Sequence, residues 1–370
     1  VSGREQRRWH RCITRADAER VAGELTDRPR RHRRSGSSMT LQDYLLGQWL
    51  PAKEATLAPT TYARYVTSVE HYLLPHLGDT PLRRLRAEHI RSLYQRLLIT
   101  GSRRGGPLAA KTIANLHQLL RSALRDALDR GLLPVSPMAG VQPPDPRSHP
   151  SGARRAKSWT ATELGAFIDA TAHSQHSMLF RLTAATGMRR GEVLGLRWDD
   201  IHFDTGRIEI TQALIAIGYQ LEFTRLKTRT SRRNVALDAD TLALLVDWRR
   251  RQAAQLATSG AVNEHGLVFT RADGKALHPH SVSQAFERAQ RRVEVSPIRF
   301  HDLRHTHASL LLRDRVPIKV VSERLGHANP AFTMTTYQHV IPGMQEDAAA
   351  AFGQLLSANL ANSGDPGIAA

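Results

Sequence analysis

The sequence predicts a mainly α-helical protein with a small antiparallel β-sheet in its second half. Through most of the chain, apolar residues recur at spacings of three and four, the period of a helix buried on one face. Residues 206–237 instead alternate apolar and polar side chains, as in "GRIEI" and "RRNVALD", which is typical of antiparallel strands. A proline-rich stretch separates the two halves, so we expect a helical domain followed by an α+β domain.

The N-terminal segment, residues 1–38, is predicted to be a basic arm. It carries 11 arginines and ends in "RPRRHRRSGSS". A run of like charge followed by Gly and Ser is typical of a flexible segment that contacts a polyanion. The one cysteine of the chain, Cys12, lies here, so the sequence excludes an internal disulfide framework.

Residues 39–133 predict a compact bundle of about four helices. The clearest helical pattern is "LAAKTIANLHQLLRSALRDALDRG", in which Ile113, Leu116 and Leu120 recur on one face. Three further segments have the same pattern: 40–50, 59–73 and 87–99. We expect three basic side chains on the surface of this bundle: Arg83, Arg84 and Lys111.

Residues 134–157 predict an interdomain linker. They hold six prolines and no hydrophobic periodicity, and they end near the basic pair Arg154 and Arg155. Proline-rich chain is stiff and continues neither a helix nor a strand. The second domain is therefore expected to begin near residue 158.

The second domain, residues 158–345, opens with "TATEL", where Thr160 and Glu163 have the spacing of a capping box. Helices are predicted from there to about Leu196. After the sheet, further helices are predicted at 239–257, 279–292, 301–314 and 317–325. Residues 346–370 predict a C-terminal helix, at 346–357, followed by a disordered tail.

The chain is strongly basic. Lysine and arginine number 52 against 34 acidic residues, which gives a formal net charge of +18 and a pI near 11.0. Such an excess makes a polyanion the expected partner, and the dominance of arginine favours bidentate phosphate contacts. A solvated basic surface or a ribosome-like binder is the alternative. No apolar run approaches the roughly 18 to 20 residues of a membrane span, so we expect a soluble, cytoplasmic protein.

The stretch "HDLRHTH" places three histidines, one arginine and one aspartate within seven residues. On a helix, His301 and His305 share a face one turn apart, as metal ligands often do. His301 and Arg304 share a face equally well, and together they suit a phosphate. The stretch by itself leaves a metal site and an anion site open.

Five elements of the second domain stand in a recognisable order. They are the G-x-R-x-x-E box of Gly187, Arg189 and Glu192, Lys227 before a basic "SRR", the H-x-x-R box of His301 and Arg304, "LGH" ending at His327, and Tyr337. The histidine of "LGH" lies 23 residues beyond the arginine of the H-x-x-R box, and the tyrosine lies ten residues further on. In this order and spacing, the elements resemble the tyrosine recombinase family, the phage integrases. The layout of bundle, linker and second domain resembles the same family and implies a SAM-like core-binding domain before an α+β catalytic domain.

The resemblance implies an enzyme that cuts and rejoins duplex DNA at specific sites, integrating or excising a phage genome or another mobile element. Tyr337 would be the nucleophile and would form a 3′-phosphotyrosyl link. Because this link stores the energy of the broken phosphodiester, the reaction would need neither ATP nor a metal or other cofactor.

The other motif residues receive roles from the same resemblance. Arg189 and Arg304 would clamp the phosphate and neutralise the charge of the transition state. His301 would be the base that activates the tyrosine, and His327 would donate a hydrogen bond to the phosphate. Lys227 would be the acid that protonates the departing 5′ oxygen.

The resemblance also implies partners. They are double-stranded DNA attachment sites, further copies of the chain in a homotetramer on DNA, and an excisionase or a DNA-bending host factor. Phosphate contacts would dominate the affinity for DNA. The predicted DNA contacts are Arg83, Arg84, Lys111, Arg154, Arg155, Arg232 and Arg233.

Other interpretations stay open at the level of sequence. A chromosome-dimer resolvase is the nearest alternative within the family. A type IB topoisomerase uses similar residues, whereas an architectural DNA-binding protein would need none of them. The acidic residues Asp199, Asp200 and Asp204 raise a two-metal nuclease site, but no further acidic ligands stand at a recognisable spacing.

Three residues beside the motif positions are expected to be structural. Glu192 should orient Arg189 or its helix. His305 should hydrogen-bond within the catalytic domain, and His307 should fill a packing position. On this interpretation "HDLRHTH" contributes His301 and Arg304 to an anion site, and the metal interpretation of the stretch loses its support.

Overall fold

The computed structural model of the protein describes residues 39–102, 105–145, 157–226, 232–327, 329–337, 349–350 and 352–354. The chain divides into two compact units, Val1–Ala153 and Arg154–Ala370. The predicted basic arm, the second half of the predicted linker and most of the predicted C-terminal segment lie outside the described residues. The fold class predicted from the sequence is confirmed, since helices dominate both units and the described strands are antiparallel and confined to the second.

Four helices and a short 3₁₀ turn, Leu82–Arg84, build the described part of the first unit. Helix α1 runs through three successive segments, Leu41–Tyr44, Leu45–Trp49 and Leu50–Glu54. Helix α2 runs in the same way through Pro59–Ser68, Val69–Leu73 and Leu74–Leu77. The remaining two are α3, Ala87–Thr100, and α4, Ala110–Asp129.

The middle segments of α1 and α2 are π-helical turns. Each is followed by a segment with a proline in its first turn, Pro51 in α1 and Pro75 in α2. Proline has no N–H, and its ring collides with the carbonyl of the fourth residue before it, so a regular α-helix is disrupted there. A wider turn accommodates the proline: in α1 the N–H of Leu50 donates to the carbonyl of Leu45, five residues back.

The core of the first unit is an apolar cluster with satisfied polar groups at its edge. The Tyr44 hydroxyl donates to the carbonyl of Ala123 at 2.8 Å, and Trp49 Nε1 donates to Asp126 at 2.9 Å. These two hydrogen bonds tie α1 to α4. Two residues of the predicted linker, Met138 and Val141, are buried in the same cluster, so the described part of that segment contributes to the core.

The second unit begins with helices, forms two small sheets and ends with helices. Its described α-helices include α5 Ala161–Ala170, α6 Ser177–Thr186, α7 Arg190–Leu194, α8 Ala239–Ser259, α9 Pro279–Gln290, α10 Asp302–Arg313, α11 Ile318–Leu325 and α12 Pro330–Tyr337, and Trp198–Asp200 forms a 3₁₀ turn. Residues 349–350 and 352–354 are also helical. Its described strands are β1 Ile201–His202, β2 Arg207–Ile210, β3 Gln212–Ile217, β4 Gln220–Arg225 and β5 Arg233–Ala236. The capping box predicted at the start of α5 is confirmed, since Thr160 and Glu163 exchange hydrogen bonds.

The alternation across 206–237 corresponds to two antiparallel sheets where the sequence predicted one. β2 lies between β1 and β5, with Ile208 paired to Val235 and both side chains buried. The pairing of β2 with β5 ends at Ile210 and Arg233, and β3 and β4 form a separate hairpin. Alternation identifies the face of each strand but not its partner, which is why the division was not predicted.

Helix α10 is anchored in the aromatic core of the second unit. The backbone N–H of Trp159 donates to the hydroxyl of Thr306 on α10 at 3.1 Å, and Leu303 is fully buried. The core there includes five aromatic rings whose neighbouring ring centres lie 4.9 to 6.3 Å apart: Trp159, Phe167, Phe180, Phe286 and Phe300. The first turn of α10 is therefore fixed against the rest of the unit.

Helix α12 was missed by the hydrophobic pattern. The sequence predicted helices at 317–325 and 346–357 and none between them. Pro330 occupies the first position of α12, which suits a proline, but Phe332 and Met334 are exposed and no apolar stripe marks the helix. Tyr337 is the last residue of this helix that the structure describes.

None of the helices in the described part of the chain is long and apolar enough to cross a membrane.

Candidate active site

Two glycine turns surround Arg304 near the start of α10. Gly187 follows α6 with a φ of 65°, and Gly326 follows α11 with a φ of 66°, backbone that favours glycine. The guanidinium of Arg304, which is 3% exposed, donates to the carbonyl of Gly187 at 2.8 Å and to that of Leu325 at 2.6 Å. Backbone carbonyls fix Arg304 in place without neutralising its charge.

Glu192 is a buried carboxylate that holds two further arginines. It is 2% exposed and accepts from the backbone N–H and the guanidinium of Arg189, both at 2.8 Å, and from the guanidinium of Arg233 at 2.9 and 3.2 Å. Burial opposes ionisation of the carboxyl, but hydrogen bonds and charge from Arg233 and Arg189 outweigh it and lower the pKa of Glu192. The expectation that Glu192 orients Arg189 is confirmed.

These four side chains form one positively charged cluster. Burial and the charges of Arg189 and Arg233 lower the pKa of Arg304 to about 9, which leaves it charged at neutral pH. Three guanidiniums and one carboxylate give the cluster a net charge of +2. The side chain of Arg189 is 40% exposed, so the cluster is open to an anion from solvent.

The hydroxyl of Tyr337, on α12, lies against α10. Tyr337 is 3% exposed, and its Oη lies 2.7 Å from Nδ1 of His305, a hydrogen-bond distance. Burial raises the pKa of Tyr337 to about 12, with the charge of Arg304 acting against this shift and that of Asp302 adding to it. The phenol is therefore protonated at neutral pH and needs a base before it can act as a nucleophile.

His301 stands immediately before α10 with its ring edge-on to that of His305. The two ring centres are 5.7 Å apart and the planes meet at 89°. Although part of the side chain reaches solvent, the packed surroundings of the ring, then His305 and the charge of Arg304, lower the pKa of His301 to about 4. His301 is a neutral imidazole at neutral pH, with one nitrogen that donates and one that accepts.

His327, just beyond the second glycine turn, is held by α12. Its Nδ1 lies 2.8 Å from Oγ1 of Thr333, which is fully buried, and its ring meets that of Phe332 edge-on at 4.9 Å. Burial and the charges of Arg304 and Arg189 lower the pKa of His327 to about 4. Because Nδ1 is engaged by Thr333, Nε2 is the nitrogen that can meet a ligand.

Five of the six residues predicted to be catalytic thus lie in one place: Arg189, His301, Arg304, His327 and Tyr337. The sixth, Lys227, lies outside the described residues.

Comparison with known proteins matches each of the two units to a phage integrase profile. The sequence profile of the "Phage integrase family" matches residues 158–343, and that of the "Phage integrase, N-terminal SAM-like domain" matches residues 40–98. The first match alone spans half of the chain. The chain belongs to the phage integrase family. Its second unit is a tyrosine-type recombinase catalytic domain.

Curated relatives match this chain over most of their own length. A "Tyrosine recombinase XerC-like" protein of Caldanaerobacter subterraneus subsp. tengcongensis is 27% identical over 344 residues, covering 87% of this chain and 86% of the relative. The ICEBs1 integrase of Bacillus subtilis is 23% identical over 314 residues, covering 84% of this chain and 82% of its own. The match therefore includes both units.

Solved structures of integrases share the fold. The Tn1549 transposon integrase in complex with transposon right end DNA has a TM-score of 0.68 at 17% identity, covering 86% of this chain and 100% of that one. A lambda integrase tetramer bound to a Holliday junction has a TM-score of 0.57 at 19% identity, covering 87% and 84%.

The predicted DNA contacts of this integrase-family chain fall into three groups. Arg83, Arg84 and Lys111 are exposed on the first unit, and Arg232 is exposed just before β5. Arg233 lies in the ion pair with Glu192, and its side chain is 7% exposed. The remaining two lie outside the described residues: Arg154 and Arg155. All seven stay predictions, and the buried position of Arg233 suits a structural role.

Among the described residues, two titratable side chains reach the site although the sequence did not assign them to it. Arg233 completes the charged cluster, and His305 contacts the hydroxyl of Tyr337. The expectation that His305 hydrogen-bonds within the catalytic domain is confirmed, but its partner was not predicted. The helical spacing of His301 and His305 was the available signal, because it places both rings on one face. The packing position expected for His307 is also confirmed, since it is 6% exposed with Nδ1 2.9 Å from the carbonyl of Ala184.

Asp200, one of the three acidic residues considered for a two-metal site, has protein partners for both carboxylate oxygens. Asp200 accepts hydrogen bonds from the guanidinium of Arg197 at 2.8 and 3.0 Å and from the hydroxyl of Thr211 at 3.1 Å. Among the residues that the structure describes, no group of three or more His, Cys, Asp or Glu side chains is arranged to hold a metal ion.

Proposed function

We propose that this protein is a site-specific DNA recombinase, the integrase of a phage or of another integrative element. It cuts and rejoins duplex DNA through a 3′-phosphotyrosyl intermediate and so integrates or excises the element. The observation that carries the proposal is the placement of a buried tyrosine, Tyr337, beside the arginine cluster around Arg304 in a family of recombinases.

The charge of the cluster suits a reacting phosphodiester. A phosphodiester carries one negative charge, and a second develops on the non-bridging oxygens in the transition state. The cluster of Arg189, Arg304, Arg233 and Glu192 supplies a net charge of +2 in a partly buried setting, where electrostatic stabilisation is stronger than in water. We assign the direct contacts with the phosphate to Arg189 and Arg304.

Tyr337 is the nucleophile in this proposal. Attack by its hydroxyl exchanges one phosphoester bond for another, so the bond energy is kept and the strand can be rejoined without ATP. His327 lies beside Arg304 and is the proposed hydrogen-bond donor to the phosphate, and His301 is the candidate base that the family resemblance implies. Lys227, outside the described residues, is the proposed acid for the 5′ oxygen, as the family resemblance implies.

DNA binding is proposed to depend mainly on phosphate contacts. The exposed basic residues Arg83, Arg84, Lys111 and Arg232 support this, as does the net charge of +18. Affinity should therefore fall steeply with salt. We propose a homotetramer on two DNA sites, in line with the lambda integrase tetramer on a Holliday junction, and an excisionase or DNA-bending host factor as a further partner.

Covalent capture tests this function. The full chain is incubated with a pool of duplexes that have a randomised central segment and a nick in one strand, so that the short cleaved fragment is lost and the protein stays attached. Wild-type protein should give adducts that survive detergent, and sequencing the captured DNA gives the core site. Tyr337→Phe should bind the same pool without forming adducts, because it lacks the attacking oxygen. Adducts of the variant at wild-type yield would contradict the nucleophile.

A plasmid with two direct copies of the captured site separates the alternatives. A recombinase deletes the segment between the copies, whereas a topoisomerase relaxes plasmids that lack the site, and an architectural protein forms no adduct. A chromosome-dimer resolvase is the second candidate within the family. A captured sequence found at the junction of a mobile element supports the integrase, and one found only in chromosomal DNA without such an element supports the resolvase.

A further inference from the structure

Two histidines of "HDLRHTH" could act as a base on Tyr337, and the structure separates them. Nδ1 of His305 lies 2.7 Å from the Tyr337 hydroxyl oxygen, with ring centres 5.6 Å apart. A base must come within about 2.6 to 3.2 Å of the atom whose proton it removes. His301, which the family resemblance nominates, contacts the ring of His305 edge-on and has no hydrogen bond to Tyr337 among the described residues.

The hydroxyl of Tyr337 has little access to bulk water. Tyr337 is 3% exposed, and α10 covers it through His305. Because the unpaired phenolate would be costly in this setting, the proton has to leave as the bond to phosphorus forms. A side chain already in hydrogen-bond contact is the simplest acceptor for it.

The surroundings of His305 keep its ring neutral. Burial lowers its pKa below the ordinary histidine value, Arg304 and Arg299 lower it further, and Asp302 raises it. Among the described residues, the titratable and charged groups that interact with it are Asp302, Arg304, Arg299, His301, His327 and Tyr337. At neutral pH the ring can therefore accept a proton.

We propose that His305 is a further catalytic residue, the general base that takes the phenolic proton of Tyr337 through Nδ1. This inference rests on the proposed recombinase function. It requires the neutral ring to carry its hydrogen on Nε2, so that the tyrosine donates to Nδ1 in the free enzyme. His301 then serves the phosphate beside Arg304.

The cleavage step balances with this assignment. The Oη–H bond of Tyr337 breaks and its proton moves to Nδ1 of His305, while a lone pair of Oη forms the bond to phosphorus. The bond from phosphorus to the 5′ oxygen breaks, and that oxygen takes a proton from the general acid, proposed to be Lys227.

Rejoining is the same step in reverse. The 5′-hydroxyl attacks phosphorus and returns its proton to the acid, which has lost it. The bond from phosphorus to Oη breaks, and the His305 imidazolium protonates the departing tyrosine oxygen. One histidine therefore acts as base in cleavage and as acid in rejoining.

The pH dependence of cleavage by the full chain tests this role. The captured core site is synthesised with sulfur in place of the bridging 5′ oxygen, because a thiolate leaves without needing a proton and the rate then reports the tyrosine step. For wild type, the cleavage rate should be level from about pH 6.5 to 8 and fall at lower pH, as His305 becomes protonated. The point of inflection should lie below 6.5, since the pKa of His305 is lowered.

The decisive variant is His305→Asn, whose amide can keep a hydrogen bond to Tyr337 but cannot take a proton. We expect cleavage at pH 7 to slow by about 100-fold or more. The level region should disappear, and the rate should rise about tenfold per pH unit from 6 to 8, where Arg304 stays charged, following the ionisation of a phenol whose pKa is about 12. A His305→Asn rate within threefold of wild type with an unchanged profile, or a faster rate, would overturn the proposal.

Two histidine variants control the experiment. His301→Asn should slow the reaction but keep the level region, and loss of that region in His301→Asn with its retention in His305→Asn would assign the base to His301 instead. His307→Asn changes a buried histidine on the same helix that does not contact Tyr337, and it should keep the wild-type profile. If wild type cleaves no DNA, the proposed function fails together with this inference, whereas an unaltered His305→Asn profile overturns this inference alone.

Discussion

Arg304 and Arg189 contribute the same charge to one cluster, but the protein holds them in different ways. Arg304 is 3% exposed and is fixed by the carbonyls of Gly187 and Leu325. The side chain of Arg189 is 40% exposed and is fixed by the carboxylate of Glu192. The hydrogen-bond partners of Arg304 are neutral carbonyls, whereas the charge of Arg189 is paired with the carboxylate of Glu192.

The difference indicates which contacts each arginine depends on. The position of Arg304 depends on backbone turns, so the carbonyls of Gly187 and Leu325 lose this donor if the guanidinium is lost. The position of Arg189 depends on Glu192, which Arg233 also neutralises from the buried side. Substitution of Glu192 should therefore lower the stability of the fold most. Substitution of Arg304 should lower both the stability and the cleavage rate, whereas substitution of Arg189 should lower mainly the cleavage rate.

Glu192→Gln should have the largest effect on stability. Removing the one carboxylate leaves the three arginines of the cluster without a counter-charge, and breaking a buried ion pair in this way costs about 3 to 5 kcal/mol. Chemical denaturation of the variant measures the loss. The matched control is Glu209→Gln, which changes an exposed glutamate on β2 and should cost less than about 1 kcal/mol. A Glu192→Gln variant as stable as the control would contradict the role of Glu192.

The comparison of wild type with Glu192→Gln also predicts how stability depends on pH. The folded-state pKa of Glu192 is lowered, so its contribution is complete above the ordinary glutamate pKa of about 4.3 and is lost as pH falls through the lower folded value. The difference in unfolding free energy between wild type and Glu192→Gln should be constant from pH 5 to 8 and shrink below about pH 4. A difference that grows as the pH falls would have the wrong sign.

Substitution of each arginine by lysine should distinguish the carbonyls that hold Arg304 from the carboxylate that holds Arg189. Each variant should cleave captured DNA about 100- to 1000-fold more slowly, since a single ammonium replaces a bidentate donor. Arg304→Lys should also lose about 1 to 3 kcal/mol of stability, because one buried carbonyl loses its donor. Arg189→Lys should unfold almost as wild type. Equal destabilisation by the two variants would show that the supports do not differ.

Thr333→Val should have the smallest effect. The valine fills the same space, but His327 loses the hydroxyl that fixes its ring, so cleavage should slow by about tenfold while DNA affinity is unchanged. Thr333→Ser should restore most of the rate. Thr335→Val, on the same helix, removes an exposed hydroxyl that bonds the carbonyl of Ala331 and should leave cleavage unaltered. Equal rates for Thr333→Val and wild type would remove Thr333 from the site.

The sequence predicted the fold class and most helices because burial on one face leaves a periodic pattern. It did not predict α12, whose Phe332 and Met334 are exposed, or the division into two sheets, which depends on strand partners. The spacing of the motifs nominated five residues that the structure brings together. It could not show that Arg233 is buried against Glu192 or that His305 contacts Tyr337, because both contacts join segments distant in sequence.

The most direct measurement is the chemical identity of the covalent adduct. Wild-type protein captured on nicked core-site DNA is digested with protease and nuclease, and the modified peptide is sequenced by mass spectrometry. We predict one modified residue, Tyr337, carrying a nucleotide through its 3′-phosphate. A nucleotide attached to any other residue, or linked through its 5′-phosphate, would contradict the mechanism.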